Sequence, residues 1–272
     1  MTAATMTRPA GVTRPGYSFG SVAAMEWLKL RSVRSTPWIV LIFTAGMIGL
    51  SVLVLSHENW ATMPAGQRAV FDPTNEGFTG LALGQLVLGV LGVLAITTEF
   101  SSGMIRASFA AAPRRPVVLT AKAAVVAAIT LVVGEILAFA AFAAGELALR
   151  SPAPHATLGQ PGVLRAVLMG GAYPCLIALI ALGLGAIVRN TAAAISALVG
   201  ILFVLPLILL PLGESIQHSV GQFLPMLIAE NSLTSVKPVA HSLSPGIGFG
   251  VLCGYAVAAL AAGGWALARR DA

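Results

Sequence analysis

Six stretches of nearly unbroken apolar character divide the chain, separated by short breaks where charged residues, Pro and Gly collect. They run over residues 38–56, 78–97, 117–149, 168–188, 191–212 and 247–267. A hydrocarbon core of about 30 Å takes around 20 apolar residues of helix, so each stretch predicts one crossing. The third is too long for a single crossing, and its ends are expected to continue as helix into the interface or into water. Between residues 17 and 36 the pattern changes. Val22, Met25, Leu28 and Val33 recur at near-helical spacing against Lys29, Arg31 and Arg34, which predicts an amphipathic helix lying at the membrane interface, or else a basic stretch held on anionic lipid.

The expected fold class is therefore an all-α polytopic membrane protein with six transmembrane helices. Residues 1–16, rich in Thr, Ala, Pro and Arg, read as a disordered tail, 17–36 as the interfacial helix and 37–269 as the six-span domain. Residues 57–77 and 150–162 look like surface connections. The last outer loop, 213–245, is longer and holds an apolar piece at 223–229, too short to span and expected to form a re-entrant or interfacial turn. Only Arg189 and Asn190 separate the fourth and fifth spans, which predicts a tight hairpin. Pro206 and Pro211 are expected to bend the fifth.

Composition sharpens this picture. Of 272 residues, 57% are hydrophobic and only 10% charged, too little polar surface to cover a water-soluble globule. With an even number of spans both termini share a side. Placing that side in the cytoplasm puts twelve of the sixteen basic residues there, leaving Arg68, Arg150, Arg165 and Lys237 outside among Glu58, Asp72, Glu76, Glu214 and Glu230. The net charge of +6 then reports topology under the positive-inside rule, and nucleic acid is not among the expected partners. No cleavable signal peptide is expected, because the first apolar run is long and lacks a small-residue cleavage site. Cys175 and Cys253 lie in apolar runs and suggest no disulfide framework.

Catalytic chemistry is sparse. The three lysines follow Leu28, Ala121 and Val236, so the Gly-Lys pair of a phosphate-binding loop is absent. His57-Glu58 is followed by Ala61 where a zinc hydrolase of the His-Glu-x-x-His type needs its second imidazole, and no Gly-x-Ser-x-Gly elbow occurs. His57, His155, His218 and His241 all fall in expected outer loops and read as solvated histidines. No catalytic, cofactor-binding or metal-ligating residues are expected. Two carboxylates sit within the third span. Glu135 and Glu146 are eleven residues apart, about three turns, and an ionisable group at membrane depth is a functional candidate by default. Glu146 has Arg150 one turn on as an intrahelical partner. Glu135 has no obvious local partner and either lines a polar pathway or hydrogen-bonds within a packed interface. Gly80 with Gly84, and Gly246, Gly250 and Gly254, stand four apart, a spacing that favours close helix packing within one chain or between two.

The most informative stretch joins the second and third spans, residues 98–116. It holds Glu99 and Phe100, a Gly103 break, then Met104, Ile105, Arg106 and Phe109, a stop at Pro113, Arg114 and Arg115, and Lys122 on the next helix. Physically it is a short helix with an apolar edge and charges, suited to a groove on a soluble partner. The pattern Glu-Phe-x-x-Gly-Met-Ile-Arg followed by Pro-Arg-Arg resembles the signature loop of the permease subunits of ABC-2 type ATP-binding-cassette exporters. The run from Met25 to Thr36 is similar to the segment before the first span in actinobacterial members. Ser101 and Ser102 depart from the bulkier or basic residues that many relatives carry. The resemblance implies a coupling helix, made here of Glu99, Phe100, Gly103, Met104, Ile105, Arg106, Phe109, Pro113, Arg114 and Arg115, seated on a separate ATPase subunit present in two copies. It further implies a homo- or heterodimer of permease chains in a bacterial plasma membrane, ATP and Mg belonging to the partner and no enzymatic activity on this chain. Competing readings are an ion-gradient-driven carrier using Glu135 and a non-transporting immunity or regulatory membrane protein.

Overall fold

The computed structural model describes residues 18–32, 35–111, 115–212, 219–235 and 243–269. The helices, in chain order, are α1 (Phe19–Ser32), α2 (Ser35–His57), α3 (Ala65–Arg68), α4 (Pro73–Gly77), α5 (Leu81–Ser101), α6 (Met104–Ala111), α7 (Arg115–Ala148), α8 (Val163–Val188), α9 (Thr191–Leu212), α10 (Pro225–Leu233) and α11 (Pro245–Arg269). Six of them, α2, α5, α7, α8, α9 and α11, are long and apolar enough to cross a membrane, and among the described residues there is no strand. The chain is a multi-pass membrane protein.

Helix α8 is the hub, wedged between α5, α7 and α11. Small residues make this approach possible. A Cβ added at Gly92 of α5 would run into the Ala178 carbonyl of α8, and one at Gly134 of α7 into the Gly171 carbonyl. Lipid offers no hydrophobic drive between helices, so such close backbone contact supplies the association energy through dispersion. Helix α2 lies outside this core against α7 and α5, burying Ile39, Phe43, Met47, Ser51 and Leu55, one residue per turn. The Ser51 hydroxyl donates to the Ala141 carbonyl at 2.9 Å, beside Gly145, where a side chain would collide with it. Gly80 and Gly84 likewise pack on α2. Gly246, Gly250 and Gly254 of α11 have nothing within 4 Å of where a Cβ would stand, so their spacing serves no packing among the described residues.

Helix α7 has 34 residues, about 51 Å, and overshoots the hydrocarbon core as its length predicts. Helix α8 begins at Val163, five residues ahead of the expected start, because Arg165 is held there: its guanidinium donates to the carbonyls of Ser232 at 3.3 Å and Thr234 at 2.8 Å. The α8–α9 hairpin is as tight as expected, with Arg189 in the left-handed region (φ 59°) and the Asn190 side chain capping α9 by accepting from Ala193 N at 3.0 Å. Helix α9 is the least buried span; it loosens into a π-turn at Gly200–Val204 just before Pro206, whose missing N–H breaks the helical ladder.

At the opposite end from α6, the apolar 223–229 piece forms part of α10, which packs on α8 and α11. Residues 57–77 are more than a surface connection: α4 buries Pro73, Thr74 and Gly77, and Asp72 caps it while also accepting from Ser235 Oγ at 2.8 Å. That contact ties the connection before α5 to the segment after α10. Glu146 departs from its expected pairing with Arg150. Helix α7 ends at Ala148, and the Glu146 carboxylate turns to Ala156 N at 3.0 Å and His155 Nδ1 at 3.2 Å in the following loop.

Candidate functional site

Where α1, α5, α6 and α7 meet, four charged side chains and one hydroxyl form an ionic cluster. Lys122 of α7 donates to Glu26 of α1 and, at 2.7 Å, to Glu99 of α5. Lys29, one turn after Glu26, donates to Glu26 at 2.8 Å, Glu99 at 2.9 Å and Ser108 of α6 at 2.9 Å. Ser108 in turn donates to the second Glu99 oxygen at 3.1 Å. Two acids and two bases alternate, so the cluster is neutral.

Burial makes these contacts consequential. The side chains of Glu26, Lys122 and Glu99 are 0%, 2% and 6% exposed, against 23% for Lys29. Buried ions lose several kcal/mol of hydration each, and removing one partner from such a set costs about 3–5 kcal/mol because a charge is left uncompensated. At Lys29 burial works against the charged form, but the hydrogen bonds to Glu26 and Glu99 prevail and hold its ammonium above the ordinary lysine range. The cluster thus ties α6 to α1, α5 and α7 at once.

The local chain is built for that attachment. Gly103 takes φ 71°, a left-handed conformation that L side chains avoid, although nothing lies within 4 Å of where its Cβ would be. Backbone geometry alone, then, requires glycine here. Beyond it, Ile105 and Ser108 point inward, while Met104 and Arg106 are exposed. Phe109 joins Val22 of α1 and Val118 and Ala121 of α7 in a small apolar cluster, and the Arg115 guanidinium lies 5.3 Å from its ring centre. Arg115 also donates to the Leu267 carbonyl at 2.9 Å, pinning the start of α7 to the end of α11. Phe100 stacks under Arg189, 5.1 Å away.

The residues expected to form a docking segment therefore separate into two groups. Met104 and Arg106 face outward; Glu99, Ile105, Phe100, Phe109 and Arg115 are engaged within the chain. Both Glu99 oxygens are taken within the chain, by Lys29, Lys122 and Ser108, which ties α6 to the end of α5. Pro113 and Arg114 lie outside the described residues. The α1 residues turned toward the bundle are Val22, Glu26 and Leu30, whereas Leu28 is 63% exposed. Val33 and Arg34 lie outside the described residues.

Glu26, Lys29 and Ser108 were not legible as a site. The one local signal is an acid at Glu26, an i,i+3 partner of Lys29, in an otherwise basic segment. Glu135 stands apart from the cluster. It lies against Gly171 of α8, with Oε2 buried and without a hydrogen-bond partner. Among the described residues no group of three or more His, Cys, Asp and Glu converges to hold a metal ion.

A family model described as ABC-2 family transporter protein matches residues 23–207. That span takes in most of α1, the cluster, α2, α5, α7 and α8, and α9 as far as Leu207. No curated protein matches the chain.

Proposed function

Because the chain belongs to the ABC-2 family of transporter proteins, we propose that it is the membrane-spanning subunit of an ATP-binding-cassette exporter, worked by a separate ATPase subunit that seats on α6. On this reading ATP and Mg act on the partner, two permease chains and two ATPase subunits make the assembly, and the membrane is a bacterial plasma membrane with α6 and both termini on the cytoplasmic side. The distribution of basic residues supports that orientation.

One observation carries the proposal. Helix α6 offers exposed Met104 and Arg106 while an ionic cluster and the Phe109 contact hold its other face to three more helices. A helix held in that way can pass a push from a soluble subunit to α1, α5 and α7 together; one on a slack loop would absorb it. Nucleotide binding would then act by favouring one of two packed arrangements of the spans, which requires that the partner bind those arrangements with different affinity.

The test is co-purification of the ATPase encoded with the permease. Met104→Asp and Arg106→Glu, both at exposed positions, should lower recovery of the ATPase by about tenfold or more each, the scale of an interface anchor, with membrane insertion unchanged. Full recovery in both variants would remove α6 as the docking element. Gly103→Val should keep the exposed face but misdirect it, lowering transport more than ATPase binding.

A further inference from the structure

A groove of about 610 Å³ opens beside the ionic cluster, between α1, α2, α5 and α6. Its walls are apolar, made chiefly of Leu30, Ile39, Leu91, Leu94 and Ala95, with Met104 at one edge. It starts at the level of Thr36 and Thr98, close to where the first two spans reach the end of their apolar stretches, and extends along α5 to Leu91, about 10 Å into the hydrocarbon region. A ligand filling it would have a polar end at the interface and a chain running parallel to the spans.

The charge at the mouth selects the polar end. Glu99, Lys122 and Lys29 all reach the groove, yet the first two are 6% and 2% exposed and Lys29 is 23% exposed. What the cluster shows to an occupant is therefore mainly ammonium. Lys29 already gives N–H groups to Glu26, Glu99 and Ser108, and the last is the cheap one to surrender. Ser108 is uncharged and keeps its own hydrogen bond to Glu99 when released. One proton can thus turn to an anionic oxygen while the ion pairs to Glu26 and Glu99 persist, and a contact between opposite charges replaces one between an ammonium and a neutral hydroxyl. Arg31 and Arg106, exposed at the same end, add to the positive field. By contrast a second groove of about 500 Å³, between α7 and α11, is lined by Pro116, Leu119, Leu260 and Trp265, with no charged residue in its walls and Arg269 engaged on the Trp265 ring at its edge.

The geometry points to a binding site for one anionic phospholipid of the surrounding bilayer, its acyl chain in the Ile39–Leu91–Leu94 groove and its headgroup on Lys29. This inference does not rest on the ATPase proposal. It concerns a lipid contact that any role of α6 would share, although occupancy loosens the Lys29–Ser108 tie and so bears on how firmly α6 is held.

The test uses the full chain purified in a non-ionic detergent and titrated with phosphatidylglycerol or phosphatidylcholine of identical chains, bound lipid being counted by native mass spectrometry. One phosphatidylglycerol should be retained with about tenfold preference over phosphatidylcholine, the ratio expected for one charge-assisted contact. Lys29→Gln should bring that preference to within about twofold while leaving some chain-dependent retention. Leu94→Trp, which fills the groove, should abolish retention of both lipids, and Leu260→Trp in the α7–α11 groove should change nothing. Equal retention of the two lipids by the unaltered protein, or phosphatidylglycerol held as well by Leu94→Trp as by the parent, overturns the assignment. If Leu94→Trp does not fold, Thr98→Trp at the exposed rim gives the same reading.

Discussion

Replacing Lys122 with methionine keeps the length and bulk of the side chain and deletes its charge, which isolates the electrostatic contribution of the cluster. Each lysine–carboxylate contact near 3 Å is worth about 5 kcal/mol of Coulomb energy at an effective dielectric of 20, most of it cancelled by lost hydration. With Lys122 gone, Glu26 and Glu99 have only Lys29 between them, so a carboxylate must be held buried and uncompensated or take up a proton. The expected cost is about 3–5 kcal/mol, a large part of the roughly 5–15 kcal/mol that holds a typical fold together. Unfolding in mixed detergent micelles measures it. The decisive comparison is Lys122→Met combined with Glu26→Gln, which leaves the balanced pair Lys29–Glu99. That second change should recover at least about 2 kcal/mol, a coupling far above the few tenths found between independent sites. A loss below about 1 kcal/mol for Lys122→Met, or additive effects in the double variant, would show that the cluster is too hydrated to fix α6.

Gly92→Ala should cost about 1–3 kcal/mol by pushing α5 off the Ala178 carbonyl, whereas Gly250→Ala, with open space around it, should be neutral or stabilise by up to about 1 kcal/mol through helix propensity; thermal unfolding separates the two. Burial, then the fields of Glu58, Asp72 and Glu230, hold the Glu76 carboxyl above the ordinary carboxylate range. A raised folded-state pKa means that stability is greatest in acid, below the unfolded value, and is lost as pH rises through the folded value. Glu76→Gln should therefore raise the melting temperature at neutral pH and leave it unaltered in acid, and equal effects at both would refute the electrostatic cause. Glu135→Gln should leave transport intact, since the carboxylate stands alone against Gly171; loss of gradient-driven transport in that variant would favour an ion-coupled carrier instead.

The six spans could be read directly because burial in lipid demands long apolar runs whatever their neighbours are. Their boundaries moved where a specific tertiary contact intervened, as at Arg165, whose charge suggests a loop until Ser232 and Thr234 are seen to receive it. The segment from Glu99 to Arg115 was legible as a unit, through the glycine break and the amphipathic edge after it. The direction its side chains face was not. Glu99 reads from its neighbours as an acid at a membrane boundary, and only the convergence of Glu26, Lys29 and Lys122, 96 residues apart at the extremes, turns it inward. Spacing along one helix shows i,i+3 partners; it carries no information about a third helix. The same limit holds for α1, whose hydropathy marks Val22 and Leu30 as apolar but does not show that the stripe meeting α7 contains a glutamate.

The order in which the charges appear along the chain bears on biogenesis. Glu26 and Glu99 both precede Lys122 in the sequence, so the part of the chain that ends at α6 carries two acids of the cluster and one base, Lys29. A nascent chain halted between α6 and α7 would therefore hold an excess of negative charge beside Lys29. Charge balance in this corner of the bundle is complete only with α7, whose Lys122 brings the last positive charge.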